Sequence, residues 1–192
     1  MNTKGTANLA GALADGTKIS RSAPLSAGGL WPLFAPLYSG GGSVLSWIVF
    51  TNRANDDLNG ELSWIKSANP TAKFYAGGFT NDNVAVGSSY VPPVPGVSIL
   101  NLTSANVEFS EGNLIAPFVN PISVAPNSAV QNLGTNSLTM KFSLSSGTFK
   151  GKVVDPASGL KKTFSGVVLE KMDAGYGFLL MTNLSSSVVL AP

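Results

Sequence analysis

The chain has 192 residues, a net charge of +2, no cysteine and no histidine. It is long enough for one domain with a sizeable core. Its composition excludes Ser-His-Asp and Cys-His catalysis, disulfides, and metal centres built on His or Cys.

Charged residues make up only 11% of the chain, against roughly 25% in ordinary soluble domains. Solubility therefore rests on Ser, Thr and Asn, a pattern common in extracellular β-proteins. The densest basic pair is Lys161-Lys162, too little for a nucleic-acid footprint. No apolar run reaches the ~18 residues of a membrane-spanning helix. Met1-Asn2-Thr3-Lys4 does not read as a signal peptide, and strand-like sequence follows at once. Such an abrupt start is expected of a module cut from a longer precursor.

In chain order, Thr6 to Leu13 reads as a strand. Asp15-Gly16 is a two-residue hairpin signal of type I′, and Thr17 to Ser22 is the returning partner. After Gly28-Gly29, Leu30 to Tyr38 carries Pro32 and Pro36, which marks an edge or bulged strand. Ser39 to Gly42 turns the chain into the apolar strand Val44 to Thr51. The polar segment Asn52 to Asn59 reads as a loop, with room for one helical turn. Glu61 to Lys66 is the next strand. Lys73 to Phe79 follows as a strand bent at Gly77-Gly78, and Asn81 to Gly87 reads as a loop.

Tyr90 to Gly96 (YVPPVPG) is extended and polyproline-like. It would bridge a first half, about 1–90, to a second, about 97–192, within one domain. Val97 to Thr103 and Asn106 to Ser110 read as a short pair, and Leu114 to Pro126 as irregular. Ser137 to Leu144 alternates cleanly, with Leu138, Met140, Phe142 and Leu144 on one face. Thr148 to Val154, Lys161 to Lys171, Tyr176 to Thr182 and Ser187 to Leu190 complete a meander. No window carries a long helical stripe. Short strands between regular turn signals predict an all-β fold, an antiparallel barrel or sandwich.

Two stretches look alike. Gly5 to Phe50 and Gly147 to the end match at Gly11/Gly151 and Asp15/Asp155, and each continues into a glycine–aromatic strand. This predicts two pseudo-repeated halves. The segments ADGTKISRSAPLSAGGLWPLF, LSWIVFTN, GELSWIK and KTFSGVVLEKMDAGYGFLL with SSVVL resemble a C-terminal β-module of large, uncharacterised secreted proteins of environmental bacteria, often with Ig-like repeats upstream. The resemblance implies a β fold and an extracellular setting. It transfers no activity and no catalytic residue.

Three sets of side chains could carry chemistry. Trp31, Trp47 and Trp64, with Tyr38 and Tyr75, lie on or beside strands of the first half. Their ring faces could stack on sugar C–H surfaces, or could equally fill a core. Asp56, Asp57 and Glu61, with Asp82 further on, could supply the two carboxyls of a glycosidase, or could be a solvated loop; Glu108 and Glu111 are a similar set. Ser63 to Lys66 spells S-x-x-K, but on a strand the two side chains face opposite ways, so their proton transfer is blocked. Gly40 to Gly42 lacks the Gly-Lys-Ser/Thr of a phosphate loop. Asn52 to Asn59 and Asn81-Asp82-Asn83 lack calcium-loop spacing, so neither a metal nor a cofactor is expected.

The first expectation is thus a secreted, non-catalytic module binding a polysaccharide or other cell-surface polymer. The alternatives are a small His-independent hydrolase of glycosidase type and a structural or assembly domain. A site, if present, is expected in the first half.

Overall fold

The computed structural model describes residues 5–192. The reading of Met1–Lys4 as unlike a signal peptide falls outside them. The fold is all-β and antiparallel throughout. Among the described residues, no helix is long and apolar enough to cross a membrane. The chain separates into two compact units, Met1–Ser88 and Ser89–Pro192.

The first unit opens with a hairpin, β1 (Thr6–Ala12) and β2 (Lys18–Pro24). Its connection differs from the two-residue type I′ turn expected. Leu13 and Thr17 close a three-residue loop, Leu13 N–H donating to Thr17 O, and only Gly16 takes positive φ. A three-residue connection needs one left-handed residue, not two. Asp15 is thereby free to cap the turn, its Oδ1 accepting from the Thr17 N–H.

A four-stranded meander follows: β3 (Leu30–Leu37), β4 (Gly42–Phe50), β5 (Leu58–Lys66) and β6 (Phe79–Gly87). The proline-bearing β3 is an edge strand, as its missing donors require. Asn81–Gly87, expected as a loop, is strand instead, and Lys73–Gly78 is a turn, with Tyr75 and Gly78 both at positive φ. Thr80 to Asn83 is an unbroken polar run, so the alternation that marks a strand is missing over the first half of β6. No helical turn forms over residues 52–58. The hairpin covers one face of the meander. Ala7, Leu9, Ile19 and Ala23 pack against Trp31, Leu33, Leu37, Val44 and Ile48.

The second unit is one eight-stranded sheet that curls into a nearly closed barrel. Its strands are β7 (Ser104–Ser110), β8 (Phe118–Val124), β9 (Val130–Asn132), β10 (Leu138–Ser143), β11 (Thr148–Val154), β12 (Lys161–Leu169), β13 (Ala174–Leu180) and β14 (Ser185–Ala191), ordered β10-β11-β12-β13-β14-β7-β8-β9. Residues 97–103 form no strand, and β8 occupies much of the stretch expected to be irregular, Leu114 to Pro126. Pro121 had obscured β8, which alternates as strictly as β10 does.

The barrel interior is filled rather than hollow. Phe109, Phe149, Ile122, Leu179, Val107, Val188 and Leu190 are fully buried. Two rings reach over glycines on the neighbouring strand. Phe149 pairs with Gly166, and Phe164 with Gly151. A methyl group on Gly166 would stand 2.3 Å from Phe149 Cζ, and one on Gly151 2.3 Å from Phe164 Cζ. These glycines are the hollows that receive the rings. Where β9 meets β10 without ladder bonds, amides substitute: the buried Asn120 donates to Asn132 Oδ1 and to Asn136 O.

The two look-alike stretches share an aspartate at the end of their first strand. Asp155 Oδ1 accepts from the Ala157 N–H just as Asp15 accepts from Thr17. Each also has a short 3-10 turn between two strands, at Tyr38–Gly40 and Glu170–Met172. Gly11 and Gly151 differ: a methyl on Gly11 meets nothing within 4 Å.

Gly166→Ala is expected to destabilise the protein by about 1–3 kcal/mol, the usual cost of overpacking. Gly11→Ala, an otherwise equal change, should be near neutral. Denaturant unfolding of the two variants checks this, and equal midpoints would contradict the ring-over-glycine account.

Candidate functional site

Successive residues of a strand face opposite ways, and in the first unit the two faces of the meander do different work. The inner face carries a polar cluster within the core. Lys66, at the end of β5, points inward. Its Nζ lies 3.3 Å from Asp15 Oδ2 and donates to Phe74 O at 2.7 Å. The side chains are 6% and 2% exposed, so the ion pair is buried. The Tyr38 hydroxyl donates to Asp15 Oδ2 at 2.7 Å and accepts from Trp64 Nε1 at 3.0 Å. The Lys66 ammonium also sits 4.4 Å from the centre of the Tyr38 ring.

Tyr38 and Ser39 both adopt left-handed backbone, at φ 54° and 55°. This is a strained conformation for a tyrosine. It turns the ring inward against Gly42, where a methyl would stand 2.8 Å from Tyr38 Cδ2. Burial pulls the Asp15 pKa upward. The bonds from Tyr38 and Thr17 and the Lys66 charge outweigh that, leaving it below the usual 3.8. Burial raises the Tyr38 pKa, and its hydrogen bond to Asp15 and that carboxylate's charge raise it further. A neutral phenol, an ionised carboxylate and an ammonium so arranged satisfy one another.

This placement corrects part of the expected aromatic row. Trp31 is 4% exposed and spends its indole N–H on Ala23 O. Trp64 is 9% exposed and packs edge-on against Phe79, ring centres 4.8 Å apart. Tyr38 is half-buried in the polar cluster. Tyr75 is half-buried too, its ring centre 5.1 Å from Phe79. Trp31, Trp64 and Tyr38 belong to the inner core, and Tyr75 packs edge-on against Trp64 and Phe79, so the four do not form an exposed planar row.

The outer face is different. Trp47 is 61% exposed and Phe34 60%. Pro32 pairs with Trp47, and Phe34 with Leu45, so the two rings are diagonal neighbours on adjacent strands. Leu45 pairs onward with Ser63, and Ser63 with Asp82. Ser63 Oγ donates to Asp82 Oδ1 at 2.5 Å. Glu61, paired with Val84, shares a shallow depression with Ser63 and Asp82. The face thus runs from an apolar half on β3 and β4 to a mixed half on β5 and β6, where Val84 is exposed beside Glu61, Ser63 and Asp82.

The three carboxylates do not gather. Asp56 Oδ1 accepts from Thr51 Oγ1 at 3.0 Å and from Asn59 Nδ2 at 2.9 Å. The Asp57 N–H donates to Gly87 O, and its carbonyl accepts from Thr51 N–H. The Asp56 carboxylate and the Asp57 backbone close the loop, while Glu61 stands on the outer face. Ser63 and Lys66 lie on opposite faces of β5, which rules out S-x-x-K chemistry.

Phe34 is absent from the sequence-based candidates, and Asp15 and Lys66 enter them only as a turn residue and as part of S-x-x-K, not as partners. Phe34 has a signal: in LWPLFAPL strict alternation separates it from Trp31, Leu33 and Leu37. Asp15 and Lys66 are 51 residues apart and carry none.

Removing Asp15 should cost about 3–5 kcal/mol, because it strands a buried ammonium. Replacing both partners, as Asp15→Leu with Lys66→Met, should recover most of that. The depressed aspartate pKa makes the pair's contribution complete above pH 3.8 and lost as pH falls through the lower folded-state value. Asp15→Asn should therefore flatten the acid limb of a stability-against-pH curve, as followed by urea unfolding.

No family model, curated protein or solved structure matches this chain.

Proposed function

We propose that the protein is a non-catalytic binding module for a polysaccharide or related cell-surface polymer, held on the outer face of β3–β6. The observation that carries this is the exposure of Trp47 and Phe34 on one antiparallel sheet, in a protein whose other two tryptophans are buried. Exposed aromatic rings beside Pro32 and Leu45 form an apolar platform in a chain with little charge elsewhere. A pyranose offers a C–H face for such rings and hydroxyls for the adjacent Glu61, Ser63 and Asp82. All of these residues stand on strands, so little ordering accompanies binding. An extracellular setting, as part of a longer secreted protein, suits this reading.

Against hydrolysis stands the engagement of Asp56 with Thr51 and Asn59. The remaining pair, Glu61 and Asp82, lies on an open surface without walls to exclude water.

A glycan array and a hydrolase panel on one preparation test the proposal. Trp47→Ala should weaken binding to the best glycan about thirtyfold or more, the loss of a hot-spot ring, with unfolding unchanged. Phe34→Ala should weaken it in the same direction. Turnover of a glycoside that Glu61→Gln or Asp82→Asn abolishes would establish an enzyme instead. Binding that survives both aromatic substitutions would refute this surface as the site.

A further inference from the structure

We propose that the second unit holds a separate binding face, on β10–β13 of the barrel, for an acidic polysaccharide chain. It uses other strands and other residues than the Trp47 face, and stands or falls without it.

The starting point is where the barrel keeps its charge. Ser89–Pro192 contains Lys141, Lys150, Lys152, Lys161, Lys162 and Lys171, against Glu108, Glu111, Asp155, Glu170 and Asp173. All but one of these lysines lie on β10, β11 and β12, and those strands carry no acidic residue. Inward positions of β10–β12 hold Met140, Phe149, Val153 and Phe164, so Lys141, Lys150 and Lys152 share the outer face.

Lys141 and Lys150 are directly opposed across the ladder. Like charges in that position oppose folding. Among the described residues neither has an acidic partner, nor does Lys152. Lysine on an exposed edge is a common guard against strand addition, and β10 is such an edge. That explains Lys141 but not Lys150 or Lys152, whose strand is paired on both sides. A repulsive array fixed on a paired strand is what an anionic ligand would relieve.

The neighbours choose the ligand. The row Lys141–Lys150 continues through Ser165 to Phe178, and the next through Lys152 to Thr163. Thr139, Lys141, Lys150, Lys152 and Thr163 border one groove of about 410 Å³. Tyr176, two residues along β13 from Phe178, is exposed on the same face. Ammonium groups, hydroxyls and aromatic rings in sequence match carboxylate or sulfate, hydroxyl and C–H surface on one sugar chain. Four strands at about 4.8 Å spacing make the row about 14 Å long, enough for several sugar units. The unit has no arginine, the residue whose planar fork suits the phosphates of nucleic acid.

The test is retention of the full chain on immobilised polygalacturonate and dextran sulfate, beside unsubstituted dextran and a DNA duplex. Both acidic polymers, or either alone, should retain the protein. Polygalacturonate alone would assign carboxylates, and dextran sulfate alone sulfate esters. Retention should weaken from about 50 to about 200 mM salt, as ionic contacts do. Lys150→Gln with Lys152→Gln should weaken binding at least tenfold, with a melting temperature equal to or above that of the parent. Lys18→Gln with Lys73→Gln removes the same charge from the first unit and should leave binding within twofold. Equal loss in the two lysine pairs would reduce the effect to net charge and overturn the proposal. So would DNA held as tightly as the acidic glycans, or no retention on either acidic polymer.

Discussion

In the first unit, the buried ion pair between Lys66 and Asp15 is the constraint from which most else follows. A lysine inside a core is tolerable only if its charge is met and its hydrogens are placed. Asp15, the Phe74 carbonyl and the Tyr38 ring meet those needs from three different turns. The loop of the hairpin, the left-handed corner after β3 and the turn before β6 are therefore fixed relative to one another. The strain at Tyr38 is held by the bond its hydroxyl makes, and Trp64 is oriented by that same hydroxyl. With the inner face so occupied, Trp47 and Phe34 are left outward by the alternation of their strands.

The barrel unit packs its interior without a buried ion pair among the described residues. Its interior is closed by shape, large rings received by glycine hollows on the next strand, and by a small set of amides at the seam. The consequence for function is direct. A filled barrel has no lumen in which to hold a ligand, so any binding must use its outer surface. That surface includes the lysines that face outward from β10 and β11 and a cleft of about 660 Å³ between residues 96–103, Glu170 and Asp173.

Much of this was legible in the residues. The all-β class, the edge position of β3, the face of β10 and the hairpin at Asp15 follow from alternation and turn chemistry. The choice between the two faces of β3 and β4 does not. Both faces of VLSWIVF are apolar, so period-2 alternation sorts its residues into two sets without saying which is inside. The hairpin decides it by covering one set, and that contact is non-local. The same holds for Lys66 and Asp15, where a buried ion pair looks in sequence like two ordinary surface charges. β6 went unread because its strand is made by pairing to β5 and not by its own polar residues.

The two prolines of β3 have a bearing on how such a protein behaves in company. An edge strand normally presents a row of amide hydrogens that a neighbouring molecule can extend into a growing sheet. Pro32 and Pro36 lie two and six residues after Leu30, in the same phase of the strand. The N–H groups they lack are those that would face away from β4. Only the amide of Phe34 remains between them on that side. The strand that carries Phe34 beside Trp47 is thus a poor template for strand addition.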